Sequence, residues 1–163
     1  MSRELLSFLH AAKRATYAAQ GDDASVAPAL PDSKQLEFAR GPYLYRDIYF
    51  GMVQFVGQEV VYLGERALWS MAYAGGLAAG VPAAEAVPIY RALRAALSAV
   101  PPELPLRGPR AFELEGLRYR CDVSGHALRF HGAERVTRGE VTLFELQFAG
   151  GEISGPDARR VTG

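Results

Sequence analysis

Residues 43–50 read Tyr-Leu-Tyr-Arg-Asp-Ile-Tyr-Phe, and this stretch decides the class of fold. Aromatic and β-branched residues are favoured in strands. Because side chains alternate along a strand, Tyr43, Tyr45, Asp47 and Tyr49 share one face. The other face also carries bulky apolar residues, which is typical of a strand inside a sheet. The segment therefore predicts a central β-strand.

Similar short segments lie on both sides of this strand, separated by glycine and proline. The predicted strands are 36–40, 43–50, 52–56, 59–63 and 67–74, then 111–114, 117–123, 127–131, 134–138 and 141–148. Parallel strands need crossovers of a dozen or more residues, and the connections here are much shorter. The strands of each group therefore predict an antiparallel meander.

A helix is expected before each group of strands. Apolar residues recur at helical spacing over 3–20 and again over 84–99. Gly21 is a plausible stop for the first helix. Pro101 begins a stiff connector, 101–109, because proline cannot continue a helix.

The two groups of strands also resemble each other in sequence. The pattern Phe-x-Gly-x-Glu-x-Val occurs at 55–61 and again at 130–136, and Ala-Gly-Gly follows at 74–76 and 149–151. We interpret these matches as an internal duplication.

The fold expected from these features is α+β. It consists of two tandem copies of a helix followed by a four- or five-stranded antiparallel meander, related by a pseudo-two-fold axis, with both helices packed on the sheet. A single domain, 1–154, would contain the repeats at about 3–76 and 84–151. Residues 155–163 are expected to form a flexible tail.

Composition excludes several classes of protein. The 163 residues carry 18 basic and 18 acidic side chains, so no excess of positive charge is available to neutralise a nucleic acid. No run of about eighteen apolar residues exists to span a membrane, and the N-terminus does not read as a signal peptide. We therefore expect a cytoplasmic protein that binds neither nucleic acid nor membrane.

The single cysteine, Cys121, excludes an intramolecular disulfide and zinc sites built from several thiolates. Its spacing from His126 and His131 fits no tight metal or nucleophile motif. We predict no catalytic residue, no metal and no cofactor.

Asp47 is the most informative polar residue because it lies between tyrosines on one strand face. The second strand group has Cys121 near the matching position, so the fold does not require this carboxylate. Either neighbouring hydroxyls satisfy Asp47 within a tyrosine network, or it points at a ligand.

Arg107 is the second candidate. It lies between Pro105 and Gly108, where a stiff backbone would position it at low entropic cost. It either binds a carboxylate or phosphate of a ligand, or forms a salt bridge with Glu103 or Asp47.

A small-molecule site is predicted from these two residues and the aromatic residues expected near them. Its residues are Tyr43, Tyr45, Asp47, Tyr49, Trp69, Arg107 and Tyr119. Glu59 and Glu134 recur in both strand groups, and we interpret them as structural groups that accept hydrogen bonds from turn amides. The alternating apolar residues of 69–73 and 144–148 favour core packing.

A set of motifs spread over about 3–153 carries a family resemblance. They include Tyr43-x-Tyr45-x-Asp47-x-Tyr49-Phe50-Gly51, Phe55-x-Gly57-x-Glu59, Trp69-x-Met71-x-Tyr73, Pro105-x-Arg107-Gly108-Pro109, Tyr119-x-Cys121 and Phe130-x-Gly132-x-Glu134. In these motifs the chain resembles a bacterial family of uncharacterised domains that are sometimes fused behind a helix-turn-helix DNA-binding domain.

The resemblance implies a sensor or effector module without DNA binding of its own. The chain departs from the family pattern at Ala72, Ala74, Leu106 and Ala149. If those positions line a pocket in relatives, the pocket here is less polar.

We therefore expect a stand-alone ligand-binding regulatory domain that takes a small molecule in an aromatic-lined pocket. Two alternatives remain open at this point. One is a protein-interaction module that forms a homodimer through the sheet. The other is an enzyme that uses Asp47 or the pair Cys121 and His131.

Overall fold

The computed structural model describes residues 1–16 and 26–155. The helices are α1, Arg3–Ala15, and α2, Ala86–Ser98, with a 3-10 turn at Ala83–Glu85. The strands are β1 Lys34–Arg40, β2 Tyr43–Gly51, β3 Gln54–Leu63, β4 Arg66–Leu77, β5 Ala111–Leu114, β6 Leu117–His126, β7 Arg129–Arg138 and β8 Val141–Glu152. The expected tail, 155–163, lies outside the described residues from 156 onward.

All eight strands belong to one antiparallel sheet in the order β1-β2-β3-β4-β8-β7-β6-β5. The predicted fold of two tandem helix-plus-meander repeats, with pseudo-two-fold symmetry and helices packed on the sheet, is therefore wrong. The physical reason is the pairing of β4 with β8, whose register runs from Trp69 opposite Glu152 to Leu77 opposite Phe144. Backbone hydrogen bonds cross this seam, so the strands make one continuous sheet with one helix near the N-terminus and one in mid-chain.

Two predicted strand breaks are absent, because β3 and β7 each run through a glycine. A Cβ on Gly57 would lie 2.4 Å from the Tyr73 hydroxyl oxygen, and one on Gly132 would lie 2.4 Å from a ring carbon of Phe148. Each glycine therefore makes room for an aromatic ring on the neighbouring strand. A glycine read in sequence as a break is here a place of close packing.

Helix α1 starts where the Ser2 side chain accepts a hydrogen bond from the Leu5 amide, at 3.2 Å. It ends at Ala15, short of the predicted residue 20, and the predicted stop at Gly21 falls outside the described residues. Helix α2 ends just before Pro101, as the proline rule requires.

The buried side chains of the sheet and both helices form one core. Phe8 of α1 lies with its ring centroid 5.1 Å from that of Tyr43, and Tyr90 of α2 lies 6.2 Å from Phe55. These contacts place α1 over β2 and α2 over β3. The space left between the helices is where the candidate site lies.

Candidate functional site

A cavity of about 280 Å³ lies between α1, α2 and the strands β2, β3 and β4. Most of its lining is aromatic or aliphatic, and a few charged side chains converge on it. Its lining includes Lys13, Tyr45, Asp47, Tyr49, Val53, Phe55, Glu59, Tyr73, Val87, Tyr90, Arg94, Leu97 and Arg107. This mixture of an apolar wall and a few polar groups is the usual make-up of a small-molecule pocket.

Strand alternation explains how the polar groups of β2 reach the cavity. Tyr45, Asp47 and Tyr49 are buried on one face of β2. Glu59 lies opposite Asp47 in the β2–β3 register, and Tyr73 lies opposite Gly57 in the β3–β4 register. The sheet therefore brings a carboxylate pair and three phenols to one floor.

Two buried ion pairs lie beside this floor. Lys13 of α1 is paired with Glu59, and Arg107 of the connector is paired with Glu134 of β7. The Tyr119 hydroxyl also donates to Glu134, at 2.6 Å. All of these side chains are buried, so removing one partner of a pair would leave an uncompensated charge in the protein interior.

Arg107 links the two pairs. Its Nη1 lies 3.9 Å from an oxygen of Glu59, and its Nε donates to Glu134 at 3.2 Å. Burial opposes its charge, but Glu134 holds the pKa of Arg107 well above its ordinary value. Burial lowers the pKa of Lys13, and the ion pair with Glu59 opposes that shift.

Asp47 differs from the other buried carboxylates. Only 4 % of its surface is exposed, and its hydrogen bond comes from the Tyr73 hydroxyl, at 2.7 Å. Burial, and then the negative charge of Glu59, raise the pKa of Asp47 to about 7, although Tyr73, Lys13 and Arg107 act in the opposite direction. Among the residues that the structure describes, no cation lies within ion-pairing distance of Asp47.

Two phenols of the floor, Tyr45 and Tyr73, stay protonated. Burial and the nearby carboxylates Glu59 and Asp47 raise the pKa of Tyr45 and of Tyr73 well above the ordinary value. Both hydroxyls can therefore donate hydrogen bonds at any physiological pH. Chemically, the cavity offers a carboxylate that gains or loses a proton near neutrality, hydroxyl donors, and apolar walls.

The structure brings together four of the predicted site residues: Tyr45, Asp47, Tyr49 and Arg107 all line the cavity. Three predicted site residues do not line the cavity: Tyr43, Trp69 and Tyr119.

Tyr43 packs on Phe8 at the edge of the core. Trp69 is fully buried; it stacks on Phe130 with 5.8 Å between ring centroids and donates to the Ala127 carbonyl oxygen at 3.0 Å. Tyr119 serves the Arg107–Glu134 pair and accepts a hydrogen bond from the Gly108 amide at 3.1 Å.

The salt bridge considered for Arg107 exists, but its partners are Glu134 and Glu59 instead of Glu103 or Asp47. The side chains of Glu59 and Glu134 bind cations; neither caps a turn. Lys13 was not singled out in the sequence, since it reads as an ordinary cation near the end of an amphipathic helix. The only signal for these ion pairs was the recurrence of the glutamate in both groups of strands.

The remaining candidates lie outside the cavity. Cys121 is buried, and its pKa is raised to about 11, chiefly by burial and then by Glu134. His126 and His131 are exposed, and the part of the chain described here contains no group of three metal-binding side chains.

The positions that depart from the family pattern also lie outside the cavity. Ala72, Ala74 and Ala149 are exposed on the sheet, and Leu106 is buried in the core. None of these four residues lines the cavity. A second cavity of about 330 Å³ lies behind the connector, beside Arg110 and Asp122.

Residues 47–153 match a protein-family model described as a domain of unknown function, DUF5680. The match extends over well more than half of the chain, and the chain belongs to this family. Searches among curated proteins and among solved structures found no match.

Within residues 1–16 and 26–155, neither helix is long and apolar enough to cross a membrane.

Proposed function

We propose that this domain binds a small molecule in the cavity between α1, α2 and strands β2–β4, and acts as a regulatory sensor. One observation carries the proposal: the cavity places the buried Asp47, which has no cationic partner among the described residues, against aromatic walls. The cavity volume of about 280 Å³ lies just below the usual range for small-molecule sites, which begins at ~300 Å³, so the site suits a small ligand.

Energetics support a ligand over a purely structural role for this carboxylate. A buried ionised group without a counter-charge destabilises the folded state, and replacement by apolar residues would remove that cost. Lys13 and Arg107 avoid the penalty through Glu59 and Glu134. Features that cost stability in this way are concentrated at functional sites.

The test is a variant that blocks the mouth of the cavity without touching its floor. Val87 lines the cavity and is 75 % exposed, so Val87→Trp should fill the entrance and leave folding intact. The matched control is Val141→Trp, at a position that is 61 % exposed and not part of the lining.

Thermal-shift screening of a metabolite library measures the effect. Compounds that stabilise wild type and Val141→Trp should fail to stabilise Val87→Trp. A library that stabilises all three proteins alike, or none of them, would contradict the proposal.

A sensor role agrees with the resemblance to bacterial domains fused behind a helix-turn-helix domain, and that bacterial context is part of the proposal. We also propose that the protein resides in the cytoplasm. A ligand that fills the gap between α1 and α2 would contact both helices at once, through residues such as Lys13 and Tyr90. Binding would therefore change how firmly the two helices are held, which is a signal that a partner can detect.

Homodimerisation through the sheet stays a second prediction. Phe50 and Val56 are cross-strand partners on the face of β2 and β3 opposite to the cavity, and both are exposed. Such pairs are exposed apolar surface of the kind that partner chains cover. Light scattering of the purified protein tests it, and a strict monomer would contradict it.

A further inference from the structure

We infer that the ligand of this cavity is an organic amine: its ammonium group pairs with Asp47, and its apolar body lies against Phe55 and Tyr90. This inference rests on the proposed ligand-binding function and names the chemical class of the ligand. It follows from the charges around the cavity floor, the positions of the cations, and the nature of the walls.

The buried charges are unequal in number. Among the residues that the structure describes near the floor, Lys13 and Arg107 supply two buried positive charges, whereas Asp47, Glu59 and Glu134 supply three buried negative ones when all are ionised. Lys13 is paired with Glu59 and Arg107 with Glu134, so the uncompensated charge falls on Asp47. One positive charge delivered through the cavity would balance the group.

Three cationic side chains in the described part of the chain line the cavity, and none of them pairs with Asp47. Lys13 and Arg107 are held by their own carboxylates, as described above. Arg94 of α2 is half-buried, so solvent screens its charge more than that of the buried floor. A ligand cation beside Asp47 therefore meets a buried negative charge at close range and a screened positive charge at the wall.

The walls favour a cation with an apolar body. Phe55, Tyr73 and Tyr90 present aromatic surface, and aromatic faces attract cations. The protein already uses this contact nearby, since the Arg107 guanidinium carbon lies 5.6 Å from the ring centroid of Tyr73. Val53 and Leu97 add aliphatic surface for the remainder of the ligand.

The raised pKa of Asp47 agrees with a missing counter-charge. The groups that face this carboxylate are Glu59 from β3, Tyr73 from β4, Lys13 from α1 and Arg107 from the connector. A bound ammonium would favour the ionised form and lower the pKa of Asp47. Amine binding near neutral pH should therefore release a proton from Asp47.

Three probes of matched size separate charge from shape: 2-phenylethylamine, 2-phenylethanol and phenylacetate. They are titrated into the full chain at about pH 8, where the alkylamine is protonated, and binding is followed by NMR. We expect the amine to bind at least about tenfold more tightly than the alcohol, and the alcohol more tightly than the carboxylate.

Two charge-removing variants give opposite results if the inference holds. Asp47→Asn keeps the shape and an acceptor for Tyr73, and it should abolish the preference for the amine. Arg94→Gln removes a positive charge from the wall of the same cavity, so it should strengthen amine binding. Should the Asp47 variant fold poorly, the wild-type protein provides a second measurement: amine affinity should fall as the pH is lowered from about 8 to about 5, while alcohol affinity stays constant.

Equal affinity for amine and alcohol, or tighter binding of phenylacetate, would overturn the inference and leave the proposed function standing. A preference for the amine over the alcohol that survives in Asp47→Asn would do the same. If no probe binds and no library compound discriminates Val87→Trp from Val141→Trp, the inference and the proposed function both fail.

Discussion

Asp47 is a single residue on which stability and binding make opposite demands. Its carboxylate is buried, accepts a hydrogen bond from Tyr73, and lies across the β2–β3 pair from Glu59. In the folded protein its pKa is raised to about 7, whereas an unfolded chain has an aspartate pKa of about 3.9. The folded state therefore binds a proton more tightly than the unfolded state does.

The contribution of Asp47 to the stability of the folded protein therefore falls as the pH rises. The stabilisation contributed by the bound proton is complete below about pH 4, is lost as the pH rises toward about 7, and is gone above that. Asn cannot ionise, so Asp47→Asn should be more stable than wild type at about pH 8, by about 1–3 kcal/mol. At about pH 4 the two proteins should be nearly equal.

Urea denaturation of wild type and Asp47→Asn at these two pH values measures the difference. Titrating groups that do not interact with Asp47 are common to both proteins, so they cancel in the comparison. A variant that is less stable than wild type at pH 8, or a difference that does not change with pH, would show that the Asp47 charge is already compensated.

Among the elements, Arg107 links the connector between α2 and β5 to the sheet by ion pairs. Arg107 reaches from this connector to Glu134 of β7 and toward Glu59 of β3. Tyr119 and the Gly108 amide complete the hydrogen bonds around it. The buried guanidinium of Arg107 therefore lies where the connector meets side chains from three strands, β3, β6 and β7.

Glu134→Gln should destabilise the protein by about 3 kcal/mol, because it leaves Arg107 buried without its paired charge. The matched control is Glu115→Gln, which breaks the ion pair with Arg91, whose two side chains are both more than half exposed. Exposed pairs contribute less than about 1 kcal/mol, so the control should differ little from wild type. Denaturant unfolding of the two variants checks this; equal losses would mean that the buried network contributes no more than a surface pair.

The elements also show what sequence could and could not predict. Alternation along 43–50 placed Tyr45, Asp47 and Tyr49 on one buried face, because that period is a local property of the chain. The ion pair between Lys13 and Glu59 was not predictable, since Lys13 lies on a helix far away in sequence. Gly57 was misread as a strand break, because its role depends on the Tyr73 ring of the next strand.

Over the whole molecule, one sheet joins the two groups of strands, and its seam is the β4–β8 pair. The tandem architecture predicted from sequence failed here, because similarity between two segments does not reveal whether their edge strands pair with each other. Trp69 lies at this seam. It belongs to β4, stacks on Phe130 of β7, and donates to Ala127 between β6 and β7.

Because the sheet is continuous, we expect the molecule to unfold as one cooperative unit. The chain has one tryptophan, so its fluorescence reports on contacts between the two groups of strands, whereas far-UV circular dichroism reports on all strands and helices together. In a two-state transition, these two signals coincide along a denaturant curve. Separation of the seam before the strands melt would instead shift the fluorescence transition to lower denaturant. Coincident midpoints are expected, since Trp69 is completely buried and packs on Phe130, which belongs to the other group of strands of the same sheet.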